Sequence, residues 1–446
     1  MDGATREKVY GCIDLKTFYA SVECAERGLD PFTTNLVVAD PERSETTICL
    51  AISPAMKALG VRNRCRLYEI PEGIDYLIAK PRMRTYMRKS AEIYSLYLRY
   101  ISPEDIHVYS IDECFIDFTP YLDLYGMTPK NLANMLMDTV LRETGICATA
   151  GIGTNLFLAK IALDITAKHA PDNIGFLDQE TFFQTLWTHR PLTDIWNVGP
   201  GIAKRLARFH VYDLKGITQM DPDVLYAEFG VNAEYLIDHA WGWEPCTIAQ
   251  IKAYQPEGHS MGNSQVLPCD YTYEQARMVL REMVDASVLE LVEKRLVTNH
   301  VSLSIGYSWG QGGAPGESAP VTFVGDHGKH RQRAAGTYVA VSRKMDGYTN
   351  SYAKLLEQAN ALFAEKVDPA RPVRRISVAF GNLADEDFAT YGLFDDQEAL
   401  AKEKAQQQAI LAVKEKFGKN ALVKGISLKE KATGRERNKL VGGHNG

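Results

Sequence analysis

The ten residues Tyr109 to Phe118, YSIDECFIDF, constrain this chain most tightly, because an apolar, β-branched and aromatic run is interrupted by two adjacent carboxylates, Asp112 and Glu113. Apart from those acids the run reads as a buried strand. An ionised carboxylate taken out of water is normally paired, hydrogen-bonded or bound to a metal, since leaving it bare is costly. No Lys or Arg lies between Tyr100 and Lys130 to neutralise the two locally. Two readings stay open from these residues alone: a strand end or turn that exposes both acids to solvent, or a charged site. Side chains alternate along a strand, so the second reading requires a turn across Ser110 to Glu113.

A third acid strengthens the second reading. In CIDLKTFYASVE (residues 12 to 23), Asp14 sits at the end of an apolar strand pattern just before a helical one, where a side chain is held rigidly at a sheet's edge. Three carboxylates at the ends of neighbouring strands can hold two divalent ions about 4 Å apart, the arrangement that activates a 3′ hydroxyl and supports a leaving pyrophosphate. Hard oxygen ligands favour magnesium.

At 446 residues the chain has room for roughly three domains. No apolar run approaches the length of a membrane span and MDGATREKVYG is not a secretory signal, so a cytoplasmic protein with no membrane partner is expected. The eight cysteines stand singly, without a C-x-x-C pair, which points to reduced core residues rather than zinc ligands or disulfides. A net charge of −6 argues mildly against a protein that coats nucleic acid, but eleven Lys or Arg face four Glu between Ala399 and Leu440.

Periodicity predicts a strand over 8–15, a helix from Phe18 to Arg27, a strand over 46–52 and a helix over 83–101 whose apolar stripe is Met87, Ala91, Tyr94 and Leu98. Beyond YSIDECFIDF come a helix from Pro129 to Glu143, a strand over 147–153 and a helix over 155–168. Residues 180–244 read as mainly helical, 260–381 as strands alternating with helices, and 306–336 as a Gly-rich loop holding one short strand. The fold class is therefore α+β, with helices packed on a sheet. The glycine turn GIGTN (151–155) lacks the ending of a Walker A loop, so no ATPase is read. Asn197-Val198-Gly199-Pro200-Gly201 joins two short helical patterns and is followed by Lys204, Arg205 and Arg208. It is either an ordinary helix corner or a glycine hairpin whose backbone N–H groups approach DNA phosphates.

IDLKTFYASVE, YSIDECFID, GIGTNLFLAKIA and NVGPGI, in that order and at that spacing, resemble four signature segments of the Y-family translesion DNA polymerases. ATGRERNKLVGGH (432–444) further resembles UmuC-like members of that family. The resemblance implies a right-hand polymerase: a palm over 1–17 and 83–178, fingers over 18–82, a helical thumb over 179–245, an α/β little finger over 255–382, and a tail over 383–446 with a basic helical stretch. It makes Asp14, Asp112 and Glu113 the catalytic ligands of two Mg2+ ions, with the Leu15 carbonyl a further ligand. Tyr19 becomes a steric gate under the sugar of the incoming nucleotide, where its bland alternative is a core aromatic, and the Phe18 and Tyr19 N–H groups cradle triphosphate oxygens.

Lys57 and Lys160 become triphosphate ligands, against a bland reading of Lys160 as a solvated pair with Asp164. Gly199, Gly201 and Lys204 become DNA contacts. Where many family members carry Tyr and Arg in the fingers, this chain has Pro54 and Lys57; a lysine binds phosphate as a point charge without arginine's bidentate fork. The expected partners are primer-template DNA and deoxynucleoside triphosphates, with the chain a monomer that takes an accessory subunit or a sliding clamp where one is needed. Leu393 and Phe394 match the apolar anchors of a clamp-binding peptide, although Thr390 and Tyr391 replace its Gln and Leu. Nothing in the chain resembles a proofreading exonuclease. The rivals are another palm-type enzyme, such as a nucleotide cyclase, and a catalytically inactive DNA-binding scaffold; the first needs no hairpin thumb and the second would show a broken acidic triad.

Overall fold

The computed structural model describes residues 7–42, 47–256, 260–308, 338–392 and 395–445, in two compact units, one reaching to Gln255 and one from Pro256 to Gly443. The first unit is organised by β1 (Tyr10–Leu15), whose residues are almost all buried. It is followed by α1 (Phe18–Ala25), then by a small lobe made of β2 (Leu36–Val38), β3 (Ala51–Ile52), α2 (Pro54–Ala58) and β4 (Leu77–Ala79). The chain returns through α3 (Met83–Tyr97), β5 (Ile106–Val108), β6 (Glu113–Asp117), α4 (Thr119–Tyr125), α5 (Pro129–Thr144), β7 (Ala148–Gly153), α6 (Leu156–Ile161) and β8 (Ile174–Leu177). The large sheet has the order β5-β6-β1-β7-β8, with β1 antiparallel to both neighbours. Its register sets Asp14 opposite Glu113 and Cys12 opposite Phe115.

Two expectations are corrected by packing. The buried face of α3 is Met83, Tyr86, Ile93, Leu96 and Tyr97, whereas Met87 and Leu98 are 52% and 40% exposed. Both phases of this helix carry large side chains, and the layer that covers it decides between them. The helix expected over 155–168 is α-helical only to Ile161, continuing as a π turn (Ala162–Thr166) and a 3-10 turn (Ala167–His169). Gly151 and Gly153, within the strand expected over 147–153, belong to β7 and let α6 lie directly on the strand. A Cβ at Gly151 would sit 2.2 Å from the Ala159 carbonyl and the Leu163 nitrogen, and one at Gly153 would sit 2.2 Å from the Ala159 nitrogen. Asn155 then caps α6, accepting from the Leu158 N–H at 2.8 Å.

The helical stretch after β8 comprises α7 (Gln179–Thr185), α8 (Pro200–Ala207), α9 (Leu214–Thr218), α10 (Pro222–Phe229) and α11 (Ala233–Ala240), which share one core with α6 through Phe157, Phe182, Leu206, Leu214 and Leu236, and α12 (Ile248–Ala253), whose Ile248 instead packs with Tyr10, Cys12 and Phe115. In the second unit, β9 (Met261–Tyr271), β10 (Leu296–Tyr307), β11 (Tyr338–Thr349) and β12 (Val373–Gly381) form an antiparallel sheet of order β11-β10-β12-β9. Helices α13 (Tyr273–Glu293) and α14 (Tyr352–Lys366) cover its apolar face. The basic tail adds α15 (Gln397–Phe417), whose one fully buried residue is Gln407. Most of the expected Gly-rich loop lies outside the described residues, β10 running on to Tyr307 at its start. Five cysteines are buried and three half-buried, all as free thiols.

The contact between α6 and β7 yields the first prediction. Gly151→Ala forces helix backbone away from strand backbone, an overpacking cost of about 1–3 kcal/mol or more, and the melting temperature should fall by several degrees. An unchanged melting temperature would show that the two backbones are not in contact.

Candidate active site

Asp14 and Glu113 face each other across the β1–β6 ladder, and a bend at Ser110 to Asp112 supplies the turn that the sequence pattern demands. The Tyr109 and Ser110 N–H groups both donate to the Glu113 carbonyl at 3.0 Å. Ser110 Oγ donates to Asp112 Oδ1 at 2.7 Å, and the Leu15 N–H donates to the Asp112 carbonyl at 2.9 Å. The bend carries Asp112 off the strand, which frees it from the alternation that would otherwise set it opposite in face to Glu113. Three carboxylates and the Leu15 backbone thus converge on one corner of the sheet.

The electrostatics of this corner are unfavourable by themselves. Burial, with the charges of Asp112 and Glu113, pushes the Asp14 carboxyl up to about 7. Glu113 Oε1 accepts from Cys12 Sγ at 3.1 Å and from Lys160 Nζ at 2.7 Å. Lys160 also donates to Asp164 at 2.9 Å and is 7% exposed. Burial would lower the Lys160 pKa, but Glu113 and Asp164 outweigh it and hold the ammonium charged. The pair with Asp164 is therefore buried at its lysine end and half-exposed at its carboxylate end. Lys160 is thus engaged by two carboxylates.

A different set of cations faces the acids. Lys57 on α2 has its pKa lowered by burial and by Lys168 and Lys16, while Asp14 opposes the shift. Lys57 is thus near Asp14, with Lys16 and Lys168 close enough for their charges to act on it, and Lys16 Nζ donates to Asn173 Oδ1 at 2.5 Å. Sequence reasoning missed Lys16 and Lys168; the available signals were the position of Lys16 two residues after Asp14 and of Lys168 two turns beyond Lys160. Pro54 is the first residue of α2, behind the Ser53 cap that accepts from the Met56 N–H at 3.3 Å, so it starts the helix that presents Lys57.

Helix α1 begins at Thr17, held in the left-handed region at φ 47°, and has no side-chain cap on its first N–H groups. Those of Phe18 and Tyr19 are consequently available to an anion. Phe18 is buried, whereas Tyr19 is half-buried with its ring stacked on Tyr86 at 4.6 Å and 20°. Burial and Asp112 raise the Tyr19 hydroxyl's pKa and Arg64 lowers it, which locates the ring between the acidic corner and the small lobe. Beneath it, the fully buried Glu23 accepts from Tyr86 Oη at 2.7 Å and from Arg82 at 2.9 and 2.8 Å, and is also paired with Arg27.

At the glycine hairpin, Asn197 takes φ 65° and Gly199 is the N-terminal cap of α8. Gly199, Pro200, Gly201 and Lys204 are all exposed, and nothing lies within 4 Å of where either glycine's Cβ would be. Arg205 and Arg208, by contrast, are engaged by Glu228. Trp196, just before the hairpin, donates to Tyr109 Oη at 3.0 Å and so ties this element to the turn that carries Asp112. Leu393 and Phe394 lie outside the described residues. Thr390 is bound to β11 through its N–H (2.8 Å to the Tyr348 carbonyl) and its hydroxyl (3.2 Å from the Tyr348 N–H), and Tyr391 is 60% exposed.

The chemistry of the acidic corner suits a hard divalent cation: three carboxylate groups lie together where burial, with the charges of Asp112 and Glu113, holds Asp14 up at about 7. Among the described residues, no group of three or more His, Cys, Asp or Glu side chains is placed to hold a metal ion. Glu113 is instead drawn toward Lys160.

Residues 13–164 match the model of the impB/mucB/samB family, and residues 258–393 match the model of that family's C-terminal domain. The chain is 30% identical over 438 residues to the putative UV-damage repair protein UvrX of Bacillus subtilis, covering 97% of this chain and 96% of that protein. It is also 30% identical to DNA polymerase IV 2 of Bacillus subtilis, covering 98% and 99% of the two chains. Among solved structures, a Y-family DNA polymerase chimera, Dbh-Dpo4(243-245)-Dbh, superposes with a TM-score of 0.60 at 18% identity, covering 84% of this chain and 99% of that one.

The raised Asp14 carboxyl predicts a pH dependence in metal-free buffer. The unfolded chain releases this proton near the ordinary value of about 3.9, while the folded chain holds it until about 7. Between those values the folded state binds the extra proton, so the stability it contributes is full at low pH and is lost as pH rises. Relative to Asp14→Asn, the wild type should lose on the order of 2–4 kcal/mol of unfolding free energy between about pH 4 and 7.5. Chemical denaturation across that range checks it, and a difference between the two proteins that is flat in pH contradicts it.

Proposed function

Because the chain belongs to the impB/mucB/samB family and is a DNA-directed DNA polymerase of the Y-family type, we infer that it extends primers across damaged template bases by nucleotidyl transfer at the corner formed by Asp14, Asp112 and Glu113. The observation that carries this reading is the convergence, within one unit, of three carboxylates, a cluster of three lysines and an uncapped helix start. In this reading residues 1–17 and 83–178 are the palm, 18–82 the fingers, 179–245 the thumb, 255–382 the little finger and 383–446 a tail.

Asp14, Asp112, Glu113 and the Leu15 carbonyl would hold the divalent ions, read as two Mg2+. When bound, such ions supply Lewis-acid polarisation of the reacting phosphate and neutralise charge on the leaving pyrophosphate. The chain's own contribution is placement. Lys16, Lys57 and Lys168 supply positive charge for the triphosphate, and the Phe18 and Tyr19 N–H groups point at its oxygens. The Tyr19 ring, backed by Tyr86, fills the space that a 2′ hydroxyl would need. The exposed backbone at Gly199 to Gly201, with Lys204, suits a DNA phosphate and carries no sequence information, as copying of arbitrary templates requires. Fidelity rests on this site alone, without an exonuclease. A sliding clamp is a further partner in this reading, engaged through Leu393 and Phe394.

Both rivals lose to this combination. A cyclase has no use for the hairpin and the basic cluster together, and an inactive scaffold has no use for three carboxylates kept in mutual repulsion.

Three outcomes follow for purified protein with Mg2+ and a lesion-bearing primer-template. Asp112→Ala should lower extension roughly a thousandfold or more while primer-template affinity, which comes mainly from backbone contacts, stays within about threefold. Undiminished turnover would remove the metal assignment. Tyr19→Ala should relax selection against ribonucleotides by roughly tenfold or more in single-nucleotide kinetics; unchanged selectivity would make Tyr19 a packing residue. Lys168→Ala should raise the nucleotide KM roughly tenfold with kcat little changed, as expected for a ligand that binds ground and transition states alike. An effect on kcat alone would contradict it.

A further inference from the structure

Lys160 stands between two sets of carboxylates. Its ammonium lies 2.7 Å from Glu113 Oε1 and 2.9 Å from Asp164, at 7% exposure, on a helix that Gly151 and Gly153 allow to rest against β7. Among the described residues it is the one cation in hydrogen-bond contact with Glu113 or Asp164. The same Glu113 oxygen also receives the Cys12 thiol at 3.1 Å, so this carboxylate is held from two sides and turned toward α6. A lysine this deeply enclosed cannot follow a mobile triphosphate. What it can do is neutralise.

We propose that Lys160 is a built-in counter-cation that occupies the electrostatic place of a divalent ion, holds Glu113 while the site is metal-free, and competes with an arriving ion for that carboxylate. Asp164, whose side chain is 31% exposed, is the second seat. When Glu113 turns to a divalent ion, Lys160 keeps Asp164 and stays paired, so no buried charge is stranded. The exchange transfers no proton: one carboxylate oxygen trades an ammonium contact for a metal contact. Lys160 is accordingly a positioning residue that acts through Glu113. The proposal rests on the reading of Asp14, Asp112 and Glu113 as the metal ligands.

The test measures Mn2+ binding by electron paramagnetic resonance, without DNA or nucleotide, on the full-length wild type, Lys160→Met and Asp164→Asn, each with its melting temperature recorded. Removing the competing charge should make Lys160→Met bind Mn2+ about fivefold to tenfold more tightly, the effect of deleting one nearby charge after screening. Asp164→Asn takes away the second seat, leaves Lys160 clinging to Glu113, and should weaken Mn2+ binding by about threefold to tenfold. In single-nucleotide kinetics at saturating metal, where Glu113 has already exchanged Lys160 for the ion, Lys160→Met should leave the nucleotide KM within about twofold. Unchanged or weaker Mn2+ binding in Lys160→Met, or a tenfold rise in its nucleotide KM, overturns the proposal. If Lys160→Met does not fold, tighter or unchanged binding in the more exposed Asp164→Asn overturns it equally. A wild type that binds no Mn2+ defeats the metal-site reading itself, whereas a wild type that binds while both variants match it defeats only the role of Lys160.

Discussion

The crowding of like charge at the end of one antiparallel strand pair is the interaction on which the rest of the structure depends. Asp14 and Glu113 are register partners, and the bend at Ser110 to Asp112 adds a third carboxylate to the same corner. Such an arrangement costs folding free energy: burial first, and the charges of Asp112 and Glu113 next, hold the Asp14 carboxyl up at about 7. It persists because the surroundings over-determine it. β1 is paired on both edges and buried on both faces, β6 is pinned by the Tyr109 and Ser110 N–H groups, and α6 brings Lys160 against Glu113. A scaffold built for stability alone would replace these acids with apolar side chains of similar volume.

The surrounding elements read as consequences. Glycines in β7 matter because they let α6 approach closely enough for a lysine stem of ordinary length to span the gap to Glu113. The Glu23 network matters because Tyr86, fixed by it, is the ring on which Tyr19 rests. A ring that stacks on a hydrogen-bonded phenol has less freedom than one lying on aliphatic side chains, and rigidity is what the proposed steric role of Tyr19 needs. In the small lobe, Pro54 begins the short helix that presents Lys57, so a residue that departs from the commoner family pattern acts on the backbone rather than on the nucleotide.

How legible this was from sequence varies with range. Strands β1 and β6, helices α1 and α5, and the need for a turn between Tyr109 and Glu113 follow from local patterns, because hydrophobic period and a misplaced charge are local facts. The buried face of α3 was misjudged because its stripe of Met87, Ala91, Tyr94 and Leu98 competes with an equally apolar one, and only the layer above it selects Tyr86 and Ile93. Only one partner of Lys160 is visible in the sequence, for a related reason. From sequence the visible neighbour is Asp164, four residues on, while Glu113, forty-seven positions back in the chain, is brought close by strand pairing. Lys16 and Lys168 were missed because a charge cluster assembled from three separate segments has no signature in any one of them. The acidic corner itself was legible, since three carboxylates inside apolar strand patterns violate a local rule, and such violations concentrate at functional sites.

The most direct test of the account is to locate divalent ions in crystals of the protein with primer-template and an incoming nucleotide, using the anomalous scattering of Mn2+. The account predicts peaks between Asp14, Asp112 and Glu113, with Lys16, Lys57 and Lys168 around the triphosphate and Lys160 withdrawn onto Asp164. Manganese elsewhere, or a Glu113 still paired with Lys160 in a complex with nucleotide bound, would contradict it.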